Sequence, residues 1–196
     1  EVECIFPDMA GSSKGKILPV QRFVKSIEDQ SLKLADSVFG QTVSGKWVYE
    51  SEVIDYVEED LFMTPDLSTI RKIPWNKEPT AQIICDLNYG SGEPSEIAPR
   101  QVLVNIINQL KKENLRAVVA PELEFYLCEQ SLDPDLPLKT PIGKSGRRET
   151  GSRVFGIDAV NEFDTLTDDI YDYCELMEIG VDTLVHESGP SQIEIN

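Results

Sequence analysis

The chain has 196 residues, 40% of them hydrophobic and 8% aromatic, enough for one large or two small domains with a packed core. Its 18 Lys and Arg against 35 Asp and Glu leave a formal charge of −17, which argues against nucleic acid or an anionic membrane as partner, because both are polyanions. No apolar run reaches the roughly 20 residues of a membrane helix, and no signal peptide opens the chain, so the cytoplasm is the expected compartment. Cys4, Cys85, Cys128 and Cys174 show no Cys-x-x-Cys and no His clustering. They suggest neither a zinc site nor a disulfide framework and read as small buried hydrophobes.

In chain order, residues 1 to about 20 read as a hairpin around the loop Asp8 to Lys16. Pro19 then opens a helix predicted from Val20 to about Leu34, with Val20, Phe23, Val24, Ile27 and less regularly Leu32 and Leu34 at helical spacing. Short strands are expected at Ser37-Val38-Phe39 and Lys46-Trp47-Val48-Tyr49, separated by Gly40 and Gly45. The proline-punctuated stretch from Asp60 to Trp75 is too irregular for one element. Ala81 to Leu87 reads as a buried strand, and Asn88 to Pro94, with two glycines and a proline, as a domain boundary. Two domains are therefore expected, residues 1–92 and 93–196.

Pro99 starts a second helix, with Val102, Leu103, Ile106, Ile107 and Leu110 on one face, Lys111 and Lys112 at its negative end, and Asn114 as cap. Residues 129 to 152 form a polar loop whose Gly143-Lys144-Ser145 lacks the first glycine of a phosphate loop, since position 138 is Leu. A third helix is expected from about Asp164 to Ile179, stopped by Gly180. Val181 to Glu187, the turn Ser188 to Ser191, and Gln192 to Asn196 then give a strand pair, and the element order predicts an α+β fold. The chain begins without Met and stops inside a strand pattern, which predicts a longer polypeptide.

The chemistry concentrates in Val118 to Leu127, where Glu122 and Glu124 interrupt an apolar run of strand formers. In a strand, residues two apart share a face, so the two carboxylates form a pair of oxygen ligands. A tight turn between Glu187 and Glu194 would bring a second pair to one side of a hairpin. Four convergent carboxylates select a hard divalent cation, Mg2+ or Mn2+, and repel one another without it. Spacing alone leaves the bland alternative open, since Glu-x-Glu is common on the wet face of a strand. His186 reads more readily as a hydrogen-bonded structural residue than as a ligand.

Pro121-Glu122-Leu123-Glu124-Phe125-Tyr126-Leu127 and His186-Glu187-Ser188-Gly189-Pro190-Ser191-Gln192-Ile193-Glu194-Ile195-Asn196 resemble two signatures of the glutamine synthetase family. The stretch Asp66-x-Ser68-Thr69-x-Arg71-x-x-Pro74-Trp75 is similar to that family's N-terminal domain. The resemblance implies a β-grasp-like N-terminal domain followed by the first part of the catalytic domain. It implies that Glu124, Glu187 and Glu194 hold a first metal and that Glu122 is one ligand of a second, with Glu187 also in the catalytic role. The remaining ligands, most nucleotide contacts and the substrate-binding arginines would lie beyond Asn196, so this stretch is expected to be inactive alone.

The activity so implied joins glutamate to an amine with ATP through γ-glutamyl phosphate, in a ring-shaped homo-oligomer. Ammonia-using members resemble one another in an Asp-Gly-Ser-Ser segment; the corresponding Ser37 to Gly45 carries no acid. Gly156 to Asp164 and Asp182 to Pro190 look most like the branch that includes γ-glutamylpolyamine synthetases. The expected substrate is a polyamine or alkylamine. The alternatives are ammonia-using glutamine synthesis, a non-catalytic structural or regulatory relative, and a divalent-ion-binding domain without ligase activity.

Overall fold

Alternation of apolar and polar residues along Val2–Pro7 builds the first strand, β1, whose side chains are buried and half-buried in turn. It folds back on β2 (Ser13–Leu18) with Val2 opposite Leu18 and Ile5 opposite Gly15, the hairpin expected from the sequence. Only glycine fits at position 15, because a Cβ there would lie 1.9 Å from the Cys4 carbonyl oxygen. The computed structural model describes residues 1–48 and 59–196 and divides into two units, Glu1–Ala117 and Val118–Asn196.

In the first unit helix α1 (Val20–Asp29) follows Pro19 and buries Phe23 and Ser26. It is shorter than its apolar spacing predicts. Gln30 takes the left-handed conformation with φ 49°, and Asp29 accepts the Ser31 N–H at 3.1 Å, so the chain turns before Leu32. Leu34 belongs instead to β3 (Lys33–Ala35). The strand expected at Ser37-Val38-Phe39 is a single 3-10 turn over Asp36–Gly40, which buries Asp36, Phe39 and Gly40 together. Phe39 thereby meets Phe6 edge-on, with ring centroids 6.0 Å apart. Of the strand expected at Lys46 to Tyr49, an isolated bridge between Gln41 and Trp47 is present among the described residues; Tyr49 lies outside them.

β4 (Asp60–Pro65), β5 (Arg71–Lys72) and β6 (Ala81–Asn88) complete a mixed sheet of order β2-β1-β6-β4-β3, with β5 also on β6. β1 and β6 run parallel; the other pairings are antiparallel. The core lies on one face of these central strands and includes Val2, Cys4, Phe6, Leu61, Met63, Ile83, Cys85 and Leu87. Of the four free cysteines only Cys4 and Cys85 are buried, so the reading as buried hydrophobes holds for two; Cys128 is exposed and Cys174 half-buried. The hydrogen bond with Cys4, together with burial, pushes the Cys85 thiol well above its usual value.

Asp66 ties the sheet to the next helix. Its Oδ1 accepts the Ser68 N–H at 3.1 Å and the Ser68 hydroxyl at 2.6 Å, capping the 3-10 turn Leu67–Thr69, while Oδ2 pairs with Arg100. Arg100 also reaches Asp86 at 2.8 Å. It stands in the first turn of α2 (Pro99–Lys112), which starts at the expected proline and ends through Asn114 at φ 57°, with Leu115 N–H donating to Leu110 O at 2.9 Å. The predicted apolar face of α2 is exposed in this unit, with Val102 at 47% and Ile106 at 48%.

In the second unit β7 (Leu123–Tyr126), β8 (Leu184–His186) and β9 (Gln192–Ile195) form an antiparallel sheet of order β7-β9-β8. α3 (Ile157–Val160) and α4 (Asp164–Leu176) come between β7 and β8 in the chain. α4 stops earlier than Gly180. Glu178 adopts φ 56° and Ile179 N–H closes back on Cys174 O at 2.8 Å, so a non-glycine residue makes the left-handed stop. The architecture is α+β, and among the described residues no helix is long and apolar enough to cross a membrane.

Candidate metal centre

The carboxylates sit on the small sheet of the second unit. β7 and β9 pair with Glu124 directly opposite Glu194, so both side chains leave the same face. Leu127 N–H donates to Ser191 O at 2.9 Å. Counting back from that bond puts Glu124 and Glu194 at a narrow, non-hydrogen-bonded position, where paired Cα atoms lie about 4.5 Å apart. Among the described residues neither has an ion-pair partner, so two like charges oppose each other uncompensated.

Glu187 lies one residue past β8. Val185 is opposite Glu194, and the Glu187 N–H continues the ladder by donating to Gln192 O at 2.9 Å, so alternation returns Glu187 to the face of Glu194. Its carboxylate is turned toward its own loop, accepting the Ser188 N–H at 3.2 Å. Glu122 precedes β7 and has no place in the strand register. The strand expected over the whole run from Val118 is confined to its last part: Val118 and Val119 are 89% and 82% exposed and pair with nothing in the sheet. Thus the structure brings Glu124, Glu187 and Glu194 to one face and leaves Glu122 at its margin. Among the described residues no three acidic, His or Cys side chains are drawn close enough to clasp an ion.

Two residues that the motifs did not single out hold this face. Gln192, opposite Tyr126 and two residues before Glu194, donates from Nε2 to Glu124 Oε2 at 2.7 Å while its Oε1 accepts the Gly189 N–H at 2.8 Å. Alternation from Glu194 is the signal that finds it. Glu149 comes from the polar loop and offers no such signal. Its Oε2 takes the Ser191 N–H at 2.6 Å and His186 Nε2 at 2.9 Å, and His186 Nδ1 meets Glu187 O at 2.8 Å. His186, 1% exposed, is the hydrogen-bonded structural residue expected of it. In the turn, Gly189 lies under Tyr126, and a Cβ at 189 would come within 2.5 Å of that ring.

Gly143-Lys144-Ser145 is occupied by the protein itself. Ser145 N–H donates to Glu162 Oε2 at 2.9 Å and Lys144 Nζ reaches Asp164 at 2.8 Å, and each contact holds its carboxyl below the usual range. Beside this loop lies a cavity of about 580 Å3 lined by Arg147, Glu149, Ser152, Arg153 and Asp158. Arg153 is paired with Asp158 and Arg148 with Glu129 at 2.7 Å.

The donor set suits a hard cation. Its donors are carboxylate oxygens, and a divalent ion would relieve the repulsion of the opposed pair, which among the described residues meets an amide N–H from Gln192 but no side-chain cation.

Residues 96–196 match the glutamine synthetase catalytic domain. The chain is 30% identical over its full length to gamma-glutamylputrescine synthetase PuuA of Escherichia coli (strain K12), of which it covers 41%. It is also 30% identical, over 97% of its length, to glutamine synthetase of Methanocaldococcus jannaschii, of which it covers 40%. A crystal structure of a novel glutamine synthase homolog superposes with a TM-score of 0.74 at 16% identity, covering 99% of this chain and 42% of that one, and shares its fold. The chain thus spans about two fifths of the length of these relatives. With more than half of its residues matched to the catalytic-domain model, the chain belongs to the glutamine synthetase family.

Proposed function

We propose that the complete protein is an ATP-dependent ligase joining glutamate to an amine through γ-glutamyl phosphate. The observation that carries this reading is the opposition of Glu124 and Glu194 on one face, with Glu187 returned to it, inside the matched catalytic segment. Glu124, Glu187 and Glu194 would hold one Mg2+ or Mn2+, and Glu122 would contribute to a second. A bound divalent ion supplies charge that neutralises phosphate oxygens. The residues of this chain supply the rest: Gln192 holds Glu124 in orientation, the ladder bond at Glu187 fixes its backbone, and we assign Glu187 the catalytic role as well.

For the amine we favour a polyamine or alkylamine. The segment Ser37 to Gly45 carries no acid, and the neighbouring Asp36 is buried with its Oδ1 accepting the Glu59 N–H at 3.2 Å, so its charge is spent on the backbone. Ammonia-using glutamine synthesis is the alternative, since a glutamine synthetase and a γ-glutamylputrescine synthetase match equally at 30%. We further read residues 1–92 as a β-grasp-like domain and 93–196 as the start of the catalytic domain, in a cytoplasmic, ring-shaped homo-oligomer.

Phosphate release by the complete protein with glutamate, MgATP and a panel of amines tests the reading. Release with putrescine or an alkylamine well above that with ammonium supports it; turnover with ammonium alone replaces it by glutamine synthesis. No release and no Mg2+-dependent ATP binding would leave a non-catalytic relative.

A further inference from the structure

We propose that Glu149 is a positioning residue for the carboxylate face. The proposal rests on the metal reading of Glu124 and Glu187. Glu149 lies 37 and 42 residues from the two groups it holds, yet its side chain is only 9% exposed and one oxygen, Oε2, takes both His186 Nε2 and the Ser191 N–H. These two contacts lie on either side of the turn between β8 and β9. From His186 the connection runs through Nδ1 to the carbonyl of Glu187 itself. From Ser191, which adopts φ 57°, it passes to the adjoining Gln192 and through its amide to Glu124.

One buried carboxylate thus braces both ends of the turn, and the two branches end on two of the proposed ligands. A left-handed serine is strained unless its surroundings hold it, and the 2.6 Å bond to its N–H is such a hold. Without Glu149 the Ser191 N–H and the His186 ring would be buried with an acceptor missing. The turn would then relax, and Glu187 and Gln192 would move with it. Glu149 reaches no substrate or metal in this role; it acts through the hairpin.

The test uses the complete protein as wild type, Glu149→Ala, Glu149→Gln and Glu187→Gln. Mn2+ affinity is read from the EPR signal of free ion, and hydrogen exchange is followed by mass spectrometry. Loss of a hydrogen-bonded partner behind a ligand typically weakens metal affinity about 10- to 100-fold. Glu149→Ala should show such a loss, with faster exchange confined to the segment 184–192. Glu149→Gln keeps an acceptor oxygen for Ser191 and should recover part of the affinity. Unchanged affinity in both Glu149 variants, with wild type binding and Glu187→Gln not, overturns the positioning role. Equal loss in both, with exchange raised throughout the chain, assigns Glu149 to general folding and also overturns it. If wild type and Glu187→Gln alike bind no Mn2+, the metal reading itself fails, a result distinct from the other two.

Discussion

Glu124 and Glu194 face one another across β7 and β9 at a narrow position of the ladder, and among the described residues neither carboxylate is paired with a Lys or Arg side chain. Like charges directly opposite on neighbouring strands destabilise a sheet by about 0.2–1 kcal/mol. Glu194→Gln should therefore stabilise the metal-free protein by about that amount while weakening Mn2+ binding. Denaturant unfolding with chelator and with Mn2+ checks both signs. A variant less stable in chelator would show that the repulsion is already relieved within the protein.

The turn between β8 and β9 is packed against Tyr126. A methyl added at Gly189 meets that ring at 2.5 Å, but Tyr126 is 58% exposed and can swing aside. Gly189→Ala should cost about 1 kcal/mol, at the lower end of overpacking, and Tyr126→Ala should relieve it. A double-mutant cycle by thermal unfolding measures the coupling, and strict additivity of the two changes would refute the contact.

Gly15 presents the opposite case, because the obstacle is backbone. Its Cβ would fall 1.9 Å from the Cys4 carbonyl oxygen, within the β1–β2 ladder. Gly15→Ala must move a strand and should cost about 1–3 kcal/mol, more than Gly189→Ala. Equilibrium unfolding of the two variants side by side gives the comparison.

Acid should loosen the link between the first sheet and α2. The Ser68 hydroxyl first, then the Ser68 N–H and Arg100, hold the Asp66 carboxyl below the usual range. A depressed folded value means that the unfolded chain takes up the proton first as pH falls. The stabilisation is thus complete above the ordinary value of about 3.9 and drains as pH drops through the lower folded value. Asp66→Asn should remove that part of the acid dependence, so the stability curves of wild type and variant should draw together as pH falls through the lowered folded value. Curves that stay parallel throughout the acid range would exclude Asp66 from the link.

What the sequence determined by itself was local or carried by short motifs. The hairpin at the start, Pro99 opening α2, the buried strand at Ala81, and the β8–β9 pair around Ser188 to Ser191 all follow from turn chemistry and periodicity. The motifs carried the family, and the tight turn at Ser188 to Ser191 carried the shared face of Glu187 and Glu194. Helix ends were misjudged where Gln30 and Glu178, neither a glycine, took left-handed backbone, because that choice is made by hydrogen bonds the local pattern does not contain. Ser37 to Phe39 read as a strand because it is apolar; its 3-10 turn is chosen by the need to place Phe39 against Phe6. The resemblance put Glu124 and Glu194 at one site, but their direct pairing across β7 and β9 was decided by the tertiary structure, since register across 70 residues depends on the whole sheet. Tertiary structure alone placed Glu149 behind the turn: a buried carboxylate is stable only where distant donors converge on it, and no spacing along the chain announces them.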